Sequence, residues 1–127
     1  MLEDAEVVAF TATTDLERAR AFYADSLGLP LVADTPIALV FPGLRVTLVD
    51  EVAPAAYTVA GWVVADIAAE VAALSGRGVA FNRFPGMEQD DLGIWTTPGG
   101  DKVAWFSDPD GNTLSLTELS SGTAASS

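Results

Sequence analysis

The polar and apolar positions of the chain follow a pattern that is written twice. An apolar run, VVAFTA (7–12), is followed by TDLERARAFYADSLG (14–28), in which Leu16, Ala19, Phe22, Tyr23 and Leu27 recur at helical spacing. Thr14 and Glu17 have the spacing of a capping box with Thr14 as the expected N-cap, and Gly28 supplies the stop. Farther on, VAGWVV (59–64) leads into DIAAEVAALSGRG (66–78), with Ile67, Val71 and Leu74 as the stripe and Gly76 or Gly78 as the end. An Asp stands at each helix start, Asp15 and Asp66, and LGLPLV (27–32) and RGVAFN (77–82) hold matching places after each helix. The first half closes with IALVF (37–41) and LRVTLV (44–49) about a Pro42-Gly43 turn, the second with GIWTT (93–97), KVAWF (102–106) and TLSLTE (113–118). DPDGN, between the last two, has turn chemistry, so Asp108 and Asp110 read as turn builders.

Each half therefore predicts β-α-β-β with a further strand. A helix on one sheet face buries only that face, so the expectation is an α+β fold of two tandem βαβββ modules, a curved mixed sheet around a cleft with the helices outside. The modules span about 6–50 and 57–119 within one domain, 1–120, and the small polar tail 121–127 is expected to be disordered.

Composition narrows the function. The chain has 127 residues, 18 acids against 6 bases and a formal net charge of −12, which argues against nucleic acid and weakly favours a cationic ligand. It contains neither Cys nor His, so thiolate chemistry, disulfides and the commonest soft metal ligands are absent. No apolar run approaches the ~20 residues of a membrane span, and the acidic start is unlike a signal peptide. A cytoplasmic location is expected, with no membrane partner.

DLERARAFYADSLGL, combined with KVAWFSDPDGNTLSLTE after a GI-W strand, resembles the vicinal oxygen chelate superfamily of glyoxalases, bleomycin-resistance proteins and extradiol dioxygenases; the resemblance covers residues 6–119. It implies paired βαβββ modules around a cleft, often as a homodimer, with the modules joined within a chain or exchanged between chains. In metal-binding relatives, two ligands lie near the starts of the modules' first strands and two on their last strands. Here those positions fall on Val7, or Val8 if the extra threonine before Asp15 shifts the register, on Val59, and on Thr47 and Ser115, each four residues beyond a turn glycine. Valine cannot ligate, and neutral hydroxyls are poor ligands without anionic or imidazole partners. The usual metal site is expected to be missing, with no cofactor and no catalytic residue assigned.

Strand alternation then gives the expected cleft lining: Val7, Ala9 and Thr11; Arg45 and Thr47; Val59, Gly61 and Val63; Thr113 and Ser115. Gly61 leaves room either for a ligand or for a closely packed strand. Trp62 is expected under the helix and Trp105 in the cleft, with Trp95 a further candidate. Arg45 reads either as half of a salt bridge or as a grip on an oxyanion. The acidic loop GMEQDDLG reads as a solvated face or as an acidic lip at the cleft mouth. The favoured function is metal-free capture of a hydrophobic or aromatic, possibly cationic, small molecule. The alternatives are a metal-dependent lyase, isomerase or dioxygenase with unusual ligands, and a scaffold whose cleft is filled by a partner.

Overall fold

The computed structural model describes residues 1–120, and the expectation for the 121–127 tail lies outside the described residues. The first half comprises β1 (Ala9–Thr13), α1 (Leu16–Arg20), a π-helical turn (Ala21–Ser26), β2 (Ala33–Asp34), β3 (Ala38–Phe41) and β4 (Leu44–Leu48). The second comprises β5 (Thr58–Val63), α2 (Ile67–Gly76), β6 (Trp95–Thr96), β7 (Lys102–Ser107) and β8 (Thr113–Glu118). The strand orders are β1-β4-β3-β2 and β5-β8-β7-β6. In both halves the first strand runs parallel to the last and the other pairs are antiparallel. The repeat in the sequence is thus a repeat of topology: two four-stranded mixed sheets, with β1 and β5 side by side. Among the described residues no helix is long and apolar enough to cross a membrane.

The N-cap of α1 is Asp15 and not Thr14. Asp15 is extended (φ −148°) and its carboxylate accepts from the amides of Glu17 and Arg18. A carboxylate there satisfies two orphan amides and meets the positive end of the helix dipole, which favours it over the neighbouring hydroxyl. Thr14 instead accepts from Arg18. Asp66 caps α2 by accepting from the Ala69 amide. Glu118, at the end of β8, reaches back to accept from the Ile67 amide, so its carboxylate is spent on the helix side.

One hydrophobic core runs through both halves, from Tyr23, Leu39, Phe41 and Val46 to Ile67, Val71, Phe106, Leu114 and Leu116. Phe106 is its hub, with ring centroids 6.3 Å from Phe22, 6.4 Å from Trp62 and 5.3 Å from Phe81. The π-helical turn carries the consecutive aromatics Phe22 and Tyr23, packed edge to face at 5.1 Å.

A polar latch joins the halves where DPDGN meets the end of β1. Within the turn, Asp108 Oδ1 accepts from the amides of Asp110 (3.0 Å) and Asn112 (2.9 Å), as expected of a turn builder. Its other oxygen reaches across the halves: Tyr23 Oη donates to Asp108 Oδ2 at 2.5 Å, and Asn112 Nδ2 donates both to that oxygen and to the Ala12 carbonyl, each at 2.8 Å. Burial, reinforced by the charge of Asp108, raises the Tyr23 phenol far above its ordinary range, so it stays protonated and acts as a donor.

Asp110 makes the second half of the latch, accepting from Thr13 Oγ1 (2.6 Å), the Thr14 amide (3.2 Å) and Arg18 (2.6 Å). Burial pushes its carboxyl up, but the Thr13 and Thr14 hydrogen bonds and the Arg18 charge outweigh it, and the pKa lies below the ordinary 3.8. A depressed folded-state pKa contributes stability that is complete above the unfolded value and is lost as pH falls through the folded one. Unfolding measured between pH 7 and pH 2 should therefore show stability falling below about pH 4, with a smaller fall in Asp110→Asn; equal slopes in the two proteins would contradict this.

Candidate functional site

Each sheet buries one face against the helices and leaves the other open. On the first sheet, register places Phe10 beside Arg45 and Ala12 beside Thr47, with Val40 and Ala38 next on β3. Phe10, Arg45, Ala12, Thr47 and Val40 form its open face, and Ala38, on the same side by register, is buried. The expectation of Val7, Ala9 and Thr11 is corrected: the strand is turned by one residue, in the register of the Val8 alternative. Thr11 is buried and lies 3.4 Å from Tyr23 Oη, Ala9 packs against the core, and Val7 precedes the strand and is 87% exposed. The inversion has a physical cause. Thr11 and Thr13 face inward because the latch gives them polar partners, which leaves Phe10 62% exposed on the other side.

On the second sheet, Gly61 and Val63 pair with Ser115 and Thr117, and Ser115 and Thr113 pair with Trp105 and Ser107. Gly61, Val63, Trp105, Thr113 and Ser115 therefore share one open face, and Trp95 joins them through its pairing with Val103. Val59 is the exception. A bulge between Thr58 and Ala60 makes it the extra residue, and it packs against the core. Thr58 takes the neighbouring place on the open side, where its hydroxyl accepts from Trp105 Nε1 at 3.1 Å.

Gly61 is explained by close packing. A Cβ there would lie 2.5 Å from Ser115 Oγ and 3.0 Å from Ser115 O. Gly61→Ala is expected to cost about 1–3 kcal/mol in thermal unfolding, partly recovered in the double variant with Ser115→Ala. No change in Tm for the single variant would contradict the contact.

Trp105 organises the chemistry of the second face. Its ring centroid lies 6.2 Å from that of Trp95 and 5.4 Å from that of Phe84, the latter edge to face. Beside this cluster, a broad depression open to solvent, of about 530 Å³, is lined by Phe84, Met87, Glu88 and Trp95. The loop over it is built by its own hydrogen bonds: Gln89 bridges the Phe84 amide and the Asn82 and Gly93 carbonyls, and Asp90 accepts from the Leu92 and Ile94 amides. Of the acidic loop, Glu88 alone borders the depression. A second hollow, about 270 Å³, lies between β1 and β5 and brings together Ala9, Gly61 and Val63. A third, about 210 Å³, opens on the helix side against Leu29, Trp62 and Leu74. None of these three hollows joins Arg45 or Thr47 to Trp105 or Ser115.

The side chains of Arg45, Thr47 and Ser115 have no hydrogen-bond or ionic partner among the described residues. The Arg45 guanidinium and the Thr47 hydroxyl are half-buried on the first sheet, while Ser115 is buried, only 8% exposed. As a donor set for a metal ion they are unsuitable: two neutral hydroxyls and a cation, next to Val, Phe and Gly. Among the described residues, no group of three or more Asp, Glu, His or Cys side chains is placed to hold one.

A match to the Glyoxalase/Bleomycin resistance protein/Dioxygenase superfamily covers residues 7–116. The chain belongs to this superfamily. No curated protein matches it. Among solved structures it is similar to TnmS3, an antibiotic binding protein from Streptomyces sp. CB03234, with 30% identity, 94% of this chain and 99% of that chain covered, and a TM-score of 0.68. A glyoxalase/bleomycin resistance protein from the same organism is 31% identical over 88% of this chain and 98% of that chain, with a TM-score of 0.63. A superfamily member from Sphaerobacter thermophilus DSM 20745 is 28% identical over 94% of this chain and 100% of that chain, with a TM-score of 0.69.

Proposed function

We propose that this superfamily member captures a hydrophobic, aromatic small molecule on the open face of its second half and holds it unchanged, without a metal ion. The observation that carries this reading is the Trp105–Trp95–Phe84 cluster, which stands on the open face of the second sheet beside a broad surface depression. Ring faces and edges supply large contact area for a flat molecule, and a few unpaired polar groups supply orientation. Similarity to an antibiotic binding protein along nearly the whole of both chains supports the same class of ligand. The absence of anionic donors at the four corner positions supports binding without a metal, since neutral hydroxyls would leave a divalent ion uncompensated.

A second copy of the chain completes the binding cleft in this reading. Phe10, Ile37 and Val63 are 62%, 65% and 68% exposed, an apolar surface that a homodimer would cover. Residence in the cytoplasm belongs to the same proposal and is checked by cell fractionation.

The test uses the purified full chain and the neutral fluorophore N-phenyl-1-naphthylamine. Saturable quenching of tryptophan emission with matching growth of probe emission is expected; its absence overturns the capture reading. Elemental analysis of protein purified without chelator is expected to show no stoichiometric divalent ion, and one ion per chain overturns the metal-free part.

A further inference from the structure

The six basic side chains sort by their partners. Arg18 and Arg20 pair with Asp110 and Asp34. Arg77 and Arg83 donate to the backbone oxygens of Ser26 and Asp91. Lys102 is exposed, and water satisfies it. Arg45 differs from all of these. It is half-buried on the open face of the first sheet, between Phe10 on β1 and Val40 on β3, and has no hydrogen-bond or ionic partner among the described residues.

An arginine does not shed its charge in a protein, and its five donors in a planar fork call for an acceptor once water is partly withdrawn. With 18 carboxyl side chains in the sequence, an internal salt bridge was the ordinary outcome. Among the described residues none forms at Arg45. Arg45 is half-buried and keeps some contact with water, and an acceptor from outside the chain would replace that water. The neighbours Phe10 and Val40 add apolar contact around the charge, and the free Thr47 hydroxyl lies two residues along on the same face.

We propose that Arg45 receives an anionic group of the bound molecule, which makes the ligand an aromatic carboxylate, sulfonate or comparable oxyanion and not a cation. This rests on the capture reading above, with the ligand extending from the aromatic face of the second half to the first sheet, and names the charge of its ligand. The net charge of −12 favours cations only at long range, and that field is screened over about 8 Å at physiological ionic strength. A guanidinium–oxyanion contact is short, charge-assisted and partly desolvated, and it decides which group is held.

Two probes with one aromatic skeleton separate the two ideas: 1-anilinonaphthalene-8-sulfonate and its sulfonate-free parent N-phenyl-1-naphthylamine. The wild-type chain is expected to bind the sulfonate about tenfold or more tightly than the parent. Arg45→Gln should lose that preference, with the sulfonate converging on the parent's affinity, while Arg45→Lys should retain part of it. Sedimentation of Arg45→Gln should show the wild-type oligomeric state. Equal binding of the two probes by the wild type, or a preference untouched in Arg45→Gln, overturns the role of Arg45 and leaves aromatic capture standing. Dissociation of an oligomer in Arg45→Gln also overturns it, because the acceptor is then a carboxylate of a second copy. Binding of neither probe removes both ideas together.

Discussion

Asp108→Ala is expected to lower folding stability by about 3–5 kcal/mol, the largest effect of any single substitution outside the apolar core. Asp108 is only 6% exposed and accepts four hydrogen bonds, from Tyr23 Oη, Asn112 Nδ2 and the amides of Asp110 and Asn112. Without the carboxylate, the fully buried Tyr23 hydroxyl keeps only its 3.4 Å contact with Thr11. Each buried donor left unpaired costs roughly 1–3 kcal/mol, so the loss exceeds that of an ordinary turn residue. Chemical denaturation should show the loss as a shifted midpoint. Asp108→Asn keeps an acceptor and should cost about half as much, and Tyr23→Phe, which removes one donor and leaves three, about 1–2 kcal/mol. A loss below 1 kcal/mol in Asp108→Ala would mean that the turn alone, and not the latch, defines its role. The latch also fixes how β1 meets the start of β8, and so how the two open faces are set relative to each other.

That role shows where sequence reasoning stops. The duplicated βαβββ order was legible because helix and strand periods are local, and DPDGN was legible as a turn because Asp, Pro and Gly-Asn act on their own backbone. The Tyr23–Asp108 contact spans 85 positions along the chain, and no local period reports it. Sequence reasoning also stops at the faces of β1. Alternation divides Val8, Phe10 and Ala12 from Ala9, Thr11 and Thr13, but it does not say which set is buried. Placing the family's corner position at Val7 chose the wrong set, and the alternative at Val8 gives the observed one, in which Thr11 and Thr13 find buried partners and Phe10 is exposed. In the second half the alternation was read from the Ser115 side, where no such latch intervenes, and it placed Gly61, Val63, Trp105, Thr113 and Ser115 on one face. Val59 left that set through a bulge, which a single inserted residue produces without a compositional mark. At the start of α1, Thr14 and Asp15 are both competent caps one residue apart, and only the backbone conformation decides between them.

Two tryptophans on opposite faces of the second sheet give the other large effect. Trp105→Ala is expected to weaken binding of the neutral naphthylamine by about 30-fold or more, with a stability change below about 1 kcal/mol. Trp62→Ala should do the reverse, costing about 2–4 kcal/mol in unfolding with little effect on affinity. Trp62 stacks on Phe106 at 6.4 Å with an interplanar angle of 21°, and its register partner Leu116 is core, so its removal opens a void beneath the helices. Trp105 contributes little to that core. Its ring bridges Trp95 and Phe84, and its Nε1 is held by Thr58, so its removal dismantles the aromatic cluster and leaves the sheet intact. Calorimetric titration and denaturant unfolding on both variants separate the two signatures. The informative failure is the inverted result. If Trp62→Ala abolishes binding while Trp105→Ala does not, the ligand occupies the 210 Å³ cavity on the helix side, which Trp62 lines, and the open face serves association between chains.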